Sequence, residues 1–261
     1  MKKKQLSMTG RIIIFVLWIL VLCIHESLKI RYYHTTIEIN PTVMEYFFLI
    51  LYNGAYMPYA VMGFLLFAGE MKPHPFRKDL EDEKSLHICN SILAPVNYTA
   101  TAAVLLCVIA LIVSFFFGKP GIEWTSGFQS VVPPFIVNAM SPISAAWLSL
   151  LVMILFWLET VLFLSAMNKA GILFPGLLIC LVAVHWDSIW FGTEVLPWLP
   201  VRCFTLKAML RNYSIGNGGK SISDGMIYLL SGVIITGILN ITVNAVKSAK
   251  ERKISPTGLI S

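Results

Sequence analysis

Apolar runs close to the length of a bilayer crossing recur along this chain, and they leave few folds open. A transmembrane helix needs roughly 20 apolar residues to cross about 30 Å of hydrocarbon. Runs of that order occupy 11–28, 46–68, 98–117, 143–167, 172–189 and 226–246. Hydrophobic residues make up 57% of the chain, charged residues 13%, and the mean hydropathy is +0.74. A soluble domain carries about 25% charge. The sequence therefore predicts an all-α, polytopic membrane protein: a single transmembrane domain, 1–261, with six spans. The first span is the weakest, because His25 and Glu26 follow its apolar run at once. Met1-Lys2-Lys3-Lys4 before an apolar run would also suit a signal peptide, but no small-x-small cleavage site follows, so an uncleaved span is expected.

Basic residues set the expected orientation. With the N-terminus inside, most of the 20 Lys and Arg fall in 1–11, 69–97, 168–171 and 247–261. That predicts a multi-pass protein of the cell membrane with both termini cytoplasmic. The net charge of +6 is then a topology feature, and no basic soluble domain is present to bind nucleic acid. Cys23, Cys89, Cys107, Cys180 and Cys203 show no paired metal-ligand spacing. Cys23 and Cys203 could both lie near the outer surface, where a disulfide is conceivable, but scattered apolar thiols are the simpler reading.

The longest charged interruption is 69–97. Pro73 and Pro75 prevent the second span from continuing as a helix. Asp79 is placed to cap a new one, with Asp82 three residues on and Glu81, Asp82 and Glu83 in the first turn, where the helix dipole favours negative charge. Leu86, Cys89 and Leu93 follow at i, i+3, i+7, beside Ile88 and Ile92. Pro95 disfavours helix at Ala94, which predicts that this short amphipathic helix ends there and a separate span follows.

The stretch Glu81-Asp82-Glu83-Lys84-Ser85-Leu86-His87-Ile88-Cys89-Asn90-Ser91-Ile92-Leu93-Ala94-Pro95-Val96 resembles the coupling segment of type-2 ABC transporter permeases. The layout of the chain is similar too, with a long outer segment before the last span. The family often has a basic residue and then Gly-Thr where this chain has Lys84-Ser85-Leu86. The resemblance implies the membrane-spanning subunit of an ATP-driven exporter, with no cofactor on this chain. ATP and Mg would sit on a cytoplasmic ATPase partner, and a second permease chain would complete a homodimer or heterodimer. By position, Leu80, Glu83, Ser85, Leu86 and Leu93 would contact the ATPase, and 191–225 would form outer re-entrant helices. Few charges on the expected path favour an amphipathic or hydrophobic cargo such as a peptide, lipid or drug.

Other features are weighed in the same way. Glu159 lies deep in the fourth span, where a carboxylate costs a few kcal/mol, so it is expected to face protein or water, as a functional group or as a buried structural one. His185-Trp186-Asp187 invites an active-site reading, but i and i+2 do not face each other on a helix, and Trp186 and Trp190 suit an interfacial belt. Ser214-Ile215-Gly216-Asn217-Gly218-Gly219-Lys220-Ser221 ends like a phosphate-binding loop but lacks its first glycine and its strand. Asn97, Asn212 and Asn240 open Asn-x-Ser/Thr triplets, of which only Asn212 would lie outside. The apolar stretch 118–142 reads as helices in the outer interface, or dipping in and returning. Two other functional classes stay open: a membrane-embedded processing enzyme using His185, Asp187 and Glu159, and a non-transporting immunity or accessory membrane protein.

Overall fold

The computed structural model describes residues 8–52, 57–67, 83–128, 132, 134–180 and 222–254. Among these the chain is helical and contains no strand. The elements are α1 (Met8–Ile37), α2 (Val43–Tyr52), α3 (Met57–Phe67), α4 (Glu83–Phe117), α5 (Pro134–Ala139), α6 (Pro142–Lys169), α7 (173–180) and α8 (Ile222–Ile254). Among the described residues, four helices are long and apolar enough to cross a membrane: Thr9–Thr36, Ser91–Phe117, Pro142–Lys169 and Met226–Lys247. The expected spans 46–68 and 172–189 are described only in part, as α2 with α3 and as α7. Residues 191–221 of the expected outer segment 191–225, with His185, Asp187, Cys203 and Asn212, lie outside the described residues, and 222–225 form the start of α8.

Exposed apolar side chains run along the outward faces of these helices, among them Leu17, Val108, Ile112, Trp147 and Ile235. A water-soluble surface does not carry so much apolar area, whereas hydrocarbon accepts it. The chain reads as a membrane-embedded helical protein. Its centre is α6, which packs against α2, α3, α4 and α8, most extensively against α8. Because lipid is as apolar as the side chains, cohesion here rests on close packing and internal hydrogen bonds. Val152, Trp157, Val161 and Leu164 of α6 are fully enclosed. The hydroxyls of Ser149 and Thr160 donate back to the carbonyls of Ala145 and Phe156, so neither brings an unpaired donor into the core.

The ends of α6 follow from its sequence. Ser141 is the N-cap, its hydroxyl accepting from the Ser144 N–H, with Pro142 in the first turn. At the other end Gly171 takes φ 81°, the Ile172 N–H donates to Met167 O and the Gly171 N–H to Asn168 O. This Schellman arrangement needs the left-handed conformation that glycine adopts freely, and it turns the chain directly into α7.

One expectation is corrected, at Pro95. Helix does not stop there: α4 runs unbroken from Glu83 to Phe117 with Pro95 inside it. Proline removes the N–H that would bond the carbonyl four residues back, here Ser91 O. The Asn240 side-chain amide of α8 donates to that carbonyl at 2.8 Å. A neighbouring helix thus supplies the missing donor, which is how membrane helices tolerate internal proline. Within 118–142, Pro134–Ala139 is helical, Phe128, Val132 and Ile136 are buried, and Ile122 is exposed.

The loop after α4 is tied to the start of α2 by backbone. The Val43 N–H donates to Lys119 O at 2.9 Å and the Lys119 N–H to Pro41 O at 3.0 Å. Gly118 permits this approach, since a Cβ there would lie 2.6 Å from Val43 N and 2.7 Å from Val43 Cα. Backbone atoms cannot swing aside as a side-chain tip can. Gly118→Ala is therefore expected to cost about 1–3 kcal/mol, read as a lower unfolding midpoint of the detergent-purified protein. An unchanged midpoint would contradict the close approach.

Candidate functional site

Among the described residues, three polar clusters between elements interrupt the apolar packing. At the end of the bundle where α2 begins, Thr42 and Glu45 form a capping box: the Glu45 N–H donates to Thr42 Oγ1 at 3.3 Å, and Glu45 Oε2 accepts from the Thr42 N–H at 2.6 Å. The same carboxylate accepts from the Thr125 hydroxyl at 2.6 Å and from the Thr125 N–H. Glu45 is fully buried. Around it Trp124 packs on Phe128 and edge-on to Phe48, and the Trp124 indole N–H donates to Met140 O at 2.6 Å. His34 stacks on Phe128. Every Glu45 contact is structural, and the cluster seals one end of the bundle.

Glu159 forms the second cluster. It faces Gly232 of α8, where a Cβ would meet its carboxylate, and it lies within electrostatic reach of the buried Cys180 of α7. Its Oε2 is buried and has no hydrogen-bond partner among the described residues. Such an oxygen can take a proton or accept a donor from a bound molecule. Glu159 sits where α6, α7 and α8 meet.

The third cluster joins three helices at the opposite end of the bundle from Glu45. Asn240 of α8 is fully buried. Its Nδ2 donates to Ser91 O of α4 and its Oδ1 accepts from Lys169 Nζ of α6 at 3.0 Å. One side-chain amide therefore spends a donor on the proline-freed carbonyl and its acceptor on a lysine. Beside this node, Lys169, Ala170, Thr242, Val243, Val246 and Lys247 line an open cleft of about 330 Å³. The same end of the bundle holds Arg11, whose Nη1 donates to Leu66 O in the last turn of α3 at 3.2 Å. Phe15, Phe67 and Tyr98 pack together one turn deeper.

Of the residues expected to couple to an ATPase, Leu80 lies outside the described residues. Glu83, Ser85 and Leu86 are in the helical backbone at the start of α4, and their side chains are not among those described. Leu93 is on α4 and is 44% exposed. Cys23 is buried in the bundle. No group of His, Cys, Asp and Glu among the described residues could hold a metal ion. Asn240 and Lys169 are the additions the sequence reading passed over. A polar Asn inside an apolar span is the signal the sequence offers for the former.

No family model matches the chain, and no curated protein or solved structure matches it either.

Proposed function

We propose that the chain is the permease subunit of an ATP-driven exporter, carrying an amphipathic or hydrophobic cargo across the cell membrane and powered by a separate ATPase. The observation that supports this reading best is the continuity of α4. The stretch resembling a coupling segment, from Glu83 onward, is one helix with the apolar stretch Ser91–Phe117. A force applied to residues 83–90 would be carried into the membrane without an intervening loop. The Asn240 bond at Ser91, one turn before Pro95, would pass part of that displacement to α6 and α8. ATP and Mg would remain on the ATPase, both termini would be cytoplasmic, and a second permease chain would cover outward apolar faces. Glu159, whose Oε2 has no hydrogen-bond partner among the described residues, would be the polar contact on the cargo path.

The test is affinity purification of the full chain from its native membrane. A stoichiometric ATPase should co-purify, and Leu86→Asp should remove it while leaving the permease in the membrane. Equal recovery with Leu86→Asp, or no ATPase with either chain, would overturn the coupling assignment. In cells that export the cargo, Glu159→Gln should lower the rate; unchanged export at every pH would remove Glu159 from the path.

A further inference from the structure

The cleft beside the Lys169–Asn240 node carries chemistry that neither the coupling segment nor Glu159 uses. Two cations line it, Lys169 and Lys247, close enough to feel each other's charge. Neither forms an ion pair with a carboxylate among the described residues. Lys169 does not hang free: Asn240, itself fully buried, accepts one of its hydrogen bonds and fixes its amine at the end of α6. An ammonium has three donors, so two remain for the cleft. Lys247 is exposed and offers its own. The Thr242 hydroxyl is committed to Ile238 O at 2.9 Å, and Val243 and Val246 make the wall apolar.

Two like charges facing one cavity repel until an anion lies between them. The volume is at the lower end for ligand sites, which run about 300–1,000 Å³, and suits a small anionic head group better than a large organic molecule. The apolar wall on α8 continues along the membrane-facing side of the helix, where Ile238 and Val246 are exposed. Basic pockets between membrane helices suit phosphate head groups on electrostatic grounds.

We propose that the cleft between the end of α6 and the last turns of the α8 span binds a phosphate group through Lys169 and Lys247. The group would be the head of an anionic phospholipid whose acyl chains follow Val243 and Val246, or a free phosphate. This site stands whether or not the chain is a permease.

The test is native mass spectrometry of the full chain in detergent, titrated with phosphatidylglycerol and, separately, with phosphatidylethanolamine. Wild type should retain phosphatidylglycerol preferentially. Lys247→Gln should weaken that binding about fivefold, which corresponds to the roughly 1 kcal/mol that one basic residue contributes at an anionic surface. Lys247→Arg should keep it, and Lys119→Gln, at the other end of the bundle, should leave it unchanged. Lys247 is exposed, so its replacement does not threaten the fold. Inorganic phosphate separates the two sources: failure to compete assigns the site to the lipid, and competition that requires Lys247 assigns it to free phosphate. Equal phosphatidylglycerol affinity in wild type and Lys247→Gln, or equal retention of the two lipids with no phosphate effect, would overturn the site.

Discussion

Glu45→Ala is expected to lower the stability of the protein by about 3–5 kcal/mol. The side chain is fully buried and its carboxylate accepts from the Thr42 N–H, the Thr125 N–H and the Thr125 hydroxyl. Loss of a helix cap alone costs about 0.5–2 kcal/mol. Hydrogen bonds to a charged group contribute about 1.5–3 kcal/mol each, and their donors are left in a closed environment. The loop 118–128 would lose its side-chain tie to α2, keeping only the backbone bonds at Lys119, and Trp124 and Phe128 would lose the support that holds them over Phe48. Glu45→Gln separates cap from clamp. Glutamine keeps one acceptor oxygen but presents an NH2 group where a second acceptor stood. It can still meet the Thr125 hydroxyl, yet it cannot accept from both backbone N–H groups across the carboxylate. Its cost should fall between wild type and alanine. Equilibrium unfolding in mixed micelles, followed by tryptophan fluorescence, measures all three. An alanine variant within about 0.5 kcal/mol of wild type would show that the cluster carries no weight.

Much of this cluster was legible in the sequence. Thr42-Val43-Met44-Glu45 is a capping-box pattern immediately before an apolar run. Hydropathy alone places the second span at Tyr46, because a glutamate lowers any window that contains it, and so the residue that fixes the helix start falls outside the segment. Glu45's partner Thr125 is 80 residues away, a pairing no local pattern encodes. Four of the six expected spans were readable because the bilayer imposes length and apolarity directly. The start of α6 was readable for a different reason: Ser141-Pro142 carries both a cap and a first-turn proline.

Pro95 shows where local reasoning fails. In water, a residue before proline leaves the helical region easily, since solvent takes the freed groups. In a membrane bundle the alternative to helix is unpaired backbone in hydrocarbon, which costs more than the proline does. The decision then belongs to whichever neighbour can supply a donor, and that neighbour, Asn240, lies 149 residues along the chain from Ser91. Read alone, Asn240 was merely the first residue of an Asn-x-Ser/Thr triplet. The same distance hides the Lys169 contact, because a lysine in a tight turn between spans looks only like a topology marker.

Asn240→Leu is expected to cost about 2–3 kcal/mol, and most of that loss should depend on Pro95. Hydrogen bonds between membrane helices average only about 0.6 kcal/mol and reach about 1.7 kcal/mol, since the unfolded chain in the membrane also finds partners. Losing the Lys169 contact should lie at the low end, because a lysine near a helix end can extend its amine towards water. Losing the donor to Ser91 O is different, for Pro95 offers no N–H in its place, and an unmet buried polar group costs about 1–3 kcal/mol. Pro95→Ala restores an N–H at that position, directed at Ser91 O along α4. Alone it should be close to neutral, since Asn240 already serves the carbonyl. Combined with Asn240→Leu it should recover about 1–2 kcal/mol, a coupling well above the roughly 0.3–0.5 kcal/mol within which independent sites add. The full cycle of four proteins, unfolded under one set of micelle conditions, measures it. Additive losses would mean that Asn240 stabilises the bundle by packing, and that the proline in α4 is accommodated without its help. Coupling of the expected size would establish that α8 holds α4 at its proline.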